Sequence, residues 1–95
     1  MQYDFKGIFL KCDITLQLRN DPSALLIVPA GKVFCVDQTV QPQVVEGGMT
    51  QLIDMLPVQY RASGWPNKVL PIAAWVSKAR LDEAITYSAE ASPVL

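Results

Sequence analysis

Apolar and polar residues alternate along the first part of the chain. Tyr3 and Phe5 open the pattern, and after Gly7 the residues Ile8, Leu10, Cys12, Ile14, Leu16 and Leu18 recur at period two. Phe9, Lys11, Asp13, Thr15 and Gln17 lie between them. This spacing predicts a half-buried antiparallel strand over 3–18 with one face inward. Phe5 and Ile8 fall on opposite parities, which predicts a bulge at Gly7. Phe9 is then a large ring on the polar face. The cluster Arg19-Asn20-Asp21-Pro22-Ser23 predicts a loop.

The stretch from Leu25 to Val36 reads most clearly. Leu25-Leu26-Ile27-Val28 has no polar face, so it predicts a strand covered on both sides or packed at an interface. Val28-Pro29-Ala30-Gly31 fits a type I turn, and Lys32 to Val36 returns as the next strand. A hairpin follows, with the long first strand beside it and Asp37-Gln38 ending it.

Beyond it the pattern weakens. Residues 38–48 read as an extended, edge-forming segment interrupted by Pro42 and closed at Gly47-Gly48. Met49 to Met55 predicts a short helix, capped by Thr50, with Leu52, Ile53 and Leu56 at helical spacing and Pro57 as its limit. Val58 to Arg61 predicts a short strand, and Ser63 to Asn67 a turn with Trp65 at its tip. Val69 to Val76 reads either as a strand with a proline edge or as the start of a helix with Pro71 in its first turn. A strand through Val76 fits better, with a helix after Ser77 carrying Leu81, Ala84, Ile85 and Ser88 on one side. Residues 92–95 are a tail. The fold class is α+β and β-rich: a small antiparallel sheet, sandwich or barrel with one short helix and a C-terminal helix, as a single domain over 1–95.

Composition narrows the functional classes. The chain is 51% hydrophobic and only 18% charged, below the roughly 25% usual for soluble domains. A small domain has a large surface per residue, so low charge predicts a surface covered by another copy or another protein. The net charge of −1 is scattered, and no basic stripe is present to neutralise phosphates. No nucleic acid partner is therefore expected. No segment approaches the roughly 20 apolar residues that cross a bilayer, and the first residues have no apolar core of a signal peptide. No membrane partner and a cytoplasmic site of synthesis are the expectation.

Candidate chemistry is thin. The chain has no histidine, the commonest general base. Cys12 and Cys35 read as buried thiols rather than a disulfide, and two cysteines fall short of a four-ligand zinc site. Asp82-Glu83 is the one adjacent carboxylate pair, and helix neighbours diverge by about 100°. Ala30-Gly31-Lys32 lacks the upstream glycine and following Ser/Thr of a phosphate loop. Glu46-Gly47-Gly48 before a helix reads as a hinge rather than an anion site. No catalytic, cofactor or metal residues are expected, and the chain reads as no enzyme. What remains is recognition by exposed rings, with Phe9, Tyr60 and Trp65 as interface candidates.

The segment Ile27-Val28-Pro29-Ala30-Gly31-Lys32-Val33-Phe34 resembles the Pro-Ala-Gly-Lys hairpin of small β-rich phage virion proteins, such as capsid decoration and tail proteins. The resemblance implies a structural subunit of a virion: a connector, tail or decoration component, self-associating and acting through repeated protein contacts. The alternative is a small phage or mobile-element accessory protein that binds and inhibits or adapts one host protein.

Overall fold

The computed structural model describes residues 3–61, 71–88 and 92–93. Two long, bent chains form its frame. The first comprises β1 (Lys6–Phe9) and β2 (Ile14–Leu18), and the second β3 (Leu25–Val28) and β4 (Val33–Val36). They run antiparallel in one unbroken register, with Lys6 opposite Val36, Phe9 opposite Val33, Ile14 opposite Val28 and Gln17 opposite Leu25. Both chains kink together in the middle. There the Gly31 N–H donates to Leu10 O at 2.9 Å and the Ala30 N–H to Asp13 Oδ1 at 2.8 Å.

The hairpin expected between Leu25–Val28 and Val33–Val36 is therefore absent. These segments lie end to end, each paired with the first chain and not with the other. The turn between them is also one residue later than the sequence suggests. Lys32 N–H donates to Pro29 O at 3.2 Å, which puts Gly31, with φ +84°, at the third position. A positive φ there is the mark of a type II turn and suits glycine. The alternation in 3–18 holds through the kink, with Ile8, Leu10, Ile14 and Leu16 all buried. Gly7 sits in regular register opposite Cys35, so there is no bulge. Tyr3 and Phe5 instead stay on the face opposite Ile8.

The remaining strands join the two halves of this ribbon. They are β5 (Gln43–Gly47), β6 (Thr50–Tyr60) and β7 (Ile72–Ser77), followed by α1 (Lys78–Ser88) and β8 (Ser92–Pro93). The sheet order is β3-β2-β7-β6-β4-β1-β8, all antiparallel, with β5 also on β6, and it does not close into a barrel. Met55 pairs with both Ser77 and Gln43, and Val58 with both Ala74 and Val36. Hence β4 and β5 share one edge of β6, separated by the excursion 37–42. Ser92–Pro93, expected in a tail, pair with Phe9 and Ile8.

The short helix expected over 49–55 is strand. Residues 50–60 form one eleven-residue strand with Pro57 buried in its second half. A central strand tolerates this proline because of where it points. Its carbonyl accepts from Asp37 N–H at 3.2 Å, so its missing N–H also faces the place where β4 leaves the sheet. The Leu52-Ile53-Leu56 spacing that mimics a helix arises from a bulge. Val44 alone stands opposite Ile53 and Asp54, between the pairs Gln43–Met55 and Val45–Leu52. Asp54 takes φ +65° there.

One face of the sheet carries the core. Ile8, Leu16, Phe34, Val36, Leu56, Val58 and Val76 lie on it, and α1 packs over them through Leu81 and Ala84, with Ile85 at the margin. The helix begins at Ser77, whose Oγ accepts from Arg80 N–H at 3.4 Å, and Asp54 Oδ2 accepts from Ala79 N–H at 3.1 Å. The bulge thus aims a carboxylate at the helix N-terminus, where the dipole favours it. At the other end, Ser88 Oγ accepts from Lys11 N–H at 3.0 Å and ties α1 to the kink of the ribbon. Strand followed by helix at Ser77 is as the sequence predicts.

Candidate protein interaction surface

The outer face of the sheet is apolar at its centre and covered there. Cys35, Met55, Pro57 and Trp75 are all buried on it. The Arg19 guanidinium lies 5.0 Å from the Trp75 ring and 6.0 Å from that of Tyr3, which meets Phe5 edge-on at 5.5 Å. Asp37 anchors this layer. The residue is 1% exposed, and its Oδ1 accepts from Thr39 N–H at 2.8 Å and Thr39 Oγ1 at 2.6 Å. Its Oδ2 accepts from Asp4 N–H at 2.7 Å, which holds the N-terminal segment against the sheet. Burial pushes this carboxyl up, but the donors of Thr39, Asp4 and Val40 outweigh it and hold the carboxyl below its ordinary value.

Coverage stops at β3. This strand ends the sheet among the described residues, and its outward side chains, Leu25 and Ile27, are 62% and 60% exposed. Their neighbours across β2 on that face, Gln17 and Thr15, carry no charge. The sequence leaves two readings for this all-apolar strand, coverage on both faces or an interface. Among the described residues nothing covers its outer side. Leu18 N–H donates to Ala24 O at 3.2 Å, which fixes the phase of the ladder: Leu26 and Val28 point their backbone groups at β2, and Leu25 and Ile27 point theirs away. The strand carries no charge, no proline and no bulge, the usual protections of a free edge. A second exposed group, Val44, Met49 and Ile53, lies on the β5–β6 arm.

The three rings singled out by the sequence fall in different places. Phe9 is half-buried on the outer face opposite Val33. Tyr60 is 3% exposed and belongs to the core, so it offers the surface nothing. Trp65 lies outside the described residues. The apolar edge residues Leu25 and Ile27 were the missed ones. Their signal was a four-residue strand with no polar position.

The chemical candidates are dispersed. Asp82 is exposed and pairs with Lys78 at 2.8 Å along the helix, while Lys32 is a solvated turn residue. Glu46-Gly47-Gly48 runs into a hairpin turn and not a helix, and Glu46 accepts from Gln51 at 3.0 Å. Both thiols are free: Cys35 is buried, which pushes its pKa up, and Cys12 Sγ lies 3.5 Å from Ser88 Oγ. Among the described residues no three Cys, Asp or Glu side chains are grouped to hold a metal. An open cleft of about 230 Å³ between β2 and α1 is lined by Cys12, Asp13, Thr15, Arg80, Glu83 and Tyr87 among others. It is smaller than the about 300–1,000 Å³ of ordinary ligand pockets. Among the described residues no helix is long and apolar enough to cross a membrane.

No protein-family model, curated protein or solved structure matches the chain.

Proposed function

We propose that the chain is a non-enzymatic structural subunit of a protein assembly, of the kind that phage virions use as decoration, connector or tail components. It acts through protein contacts, with copies of itself among its partners. The observation that carries this reading is the uncharged, exposed edge strand β3, at which Leu25 and Ile27 stand in water at 62% and 60% exposure. Apolar edges of this kind pair with other chains. The low charge content, 18%, points the same way, since a solvated small surface ordinarily carries more. The resemblance of residues 27–34 to phage virion proteins supplies the type of assembly.

Sedimentation velocity across a wide concentration range tests the reading. Self-association beyond the 10.5 kDa monomer is expected. A monomer at every concentration contradicts it.

A further inference from the structure

We infer that two copies of this chain join along β3, antiparallel, about a two-fold axis at Leu26, making one continuous sheet. The inference rests on the assembly reading above and names its contact. It follows from three features of the edge.

The first is its hydrogen-bonding phase. Leu25 and Ile27 both direct N–H and C=O away from β2, and Leu26 lies between them. Placing Leu25 of one copy opposite Ile27 of the other pairs all outward groups of those two residues, with four bonds related by the axis. Leu25 to Ile27 map onto themselves, as a two-fold interface made from one surface patch requires, and Val28, whose backbone groups face β2, needs no partner there.

The second is the match of faces. Residues directly opposite in an antiparallel pair point to the same side. In this register Leu25 and Ile27 of both copies form a two-by-two block of apolar side chains on the outer face. The two Leu26 side chains, half-buried in each copy, meet on the core side. Shifting the register by one residue would instead oppose exposed Leu25 to Val28, which is 1% exposed and belongs to the core.

The third is charge. Antiparallel pairing brings the turn bearing exposed Asp21 of each copy toward the turn bearing exposed Lys32 of the other, with opposite signs on both sides of the axis. Like charges do not face each other within the strand, because it has none. A four-residue edge is smaller than a standard interface of roughly 1,200–2,000 Å², so the contact is weak, joins two copies only, and forms at high protein concentration.

Two variants test the contact against the wild-type chain. Ile27→Lys keeps an exposed position exposed but places a charge opposite Leu25 of the partner. It should raise the dissociation constant of the dimer at least about tenfold, with an unchanged far-ultraviolet circular dichroism spectrum. Leu26→Cys puts two thiols across the axis at a non-hydrogen-bonded pair, about 4.5 Å between Cα atoms, within disulfide reach. Mild oxidation should give a covalent dimer whose linkage maps by mass spectrometry to position 26 of both copies. If the wild-type chain associates but Ile27→Lys, still folded, associates equally well, the β3 contact is overturned and the assembly reading stands. Should Ile27→Lys fail to fold, the linkage decides: a position-26 link supports the contact, and its absence overturns it. A wild-type chain that stays monomeric overturns both.

Discussion

Replacing Asp37 with alanine removes the acceptor that joins three parts of the outer layer. In the native chain its carboxylate takes hydrogen bonds from Thr39 N–H, Thr39 Oγ1 and Asp4 N–H. Bonds to a charged acceptor contribute about 1.5–3 kcal/mol each. Thr39 and Asp4 are exposed residues, so their freed donors regain water and the net loss is well below that sum. A net cost of about 3 kcal/mol follows, and a domain of this size loses about 4–8 °C of Tm per kcal/mol, hence roughly 12–24 °C. The effect carries a pH signature. Asp37 has a folded pKa below its unfolded value, so its contribution is fully present above the ordinary carboxylate pKa of about 3.9 and is lost as the pH falls through the folded value. Urea denaturation of wild type and Asp37→Ala, at pH 7 and then in steps below pH 4, measures this. The gap between the two should be widest at pH 7 and narrow on acidification. A gap under about 1 kcal/mol at pH 7, or one that acid leaves unchanged, refutes the buried-anchor argument.

Three further outcomes follow from the packing. Asp54→Ala removes the carboxylate from the start of α1 and leaves a side chain at φ +65°, so it should destabilise by about 2 kcal/mol in chemical denaturation; Asp54→Gly loses the same cap without the backbone strain and should cost less. Leu81→Ala, at a fully buried position joining α1 to the sheet, should cost about 2–5 kcal/mol by the same assay. In native protein a thiol reagent should modify Cys12 quickly and Cys35 slowly, because Cys35 is 4% exposed and burial pushes its pKa up; in denaturant both should react alike.

The parts of this fold that were legible in the sequence are those where one face alone decides. Ile8, Leu10, Ile14 and Leu16 keep their period of two through a kink that breaks the ladder, because the pleat and not the pairing sets which side they occupy. The helix from Ser77 onward was legible for a similar reason, as Leu81, Ala84 and Ser88 mark a single buried stripe. Partner choice was not legible. Pro29-Ala30-Gly31-Lys32 is sound turn chemistry, yet whether the strands it separates pair with each other depends on residues 6–18 having already claimed both. The strand over 50–60 was hidden by its own bulge, since an extra residue at Ile53-Asp54 shifts apolar positions from period two toward helical spacing. Pro57 reinforced that error, because a proline excluded from central strands is accepted where one neighbour departs. The candidate surface was half visible: an all-apolar strand announces that something must cover it, but only the ladder phase shows that Leu25 and Ile27 are the residues left open.

Those two amides supply the most direct test of the account. Residue-resolved hydrogen exchange, read by NMR at low and high protein concentration, compares Leu25 and Ile27 with Leu26 and Val28, whose N–H groups are bonded to β2 at any concentration. Self-pairing along β3 predicts that Leu25 and Ile27 exchange freely in dilute solution and become protected as concentration rises, while Leu26 and Val28 stay protected throughout. Free exchange at Leu25 and Ile27 at every concentration contradicts it.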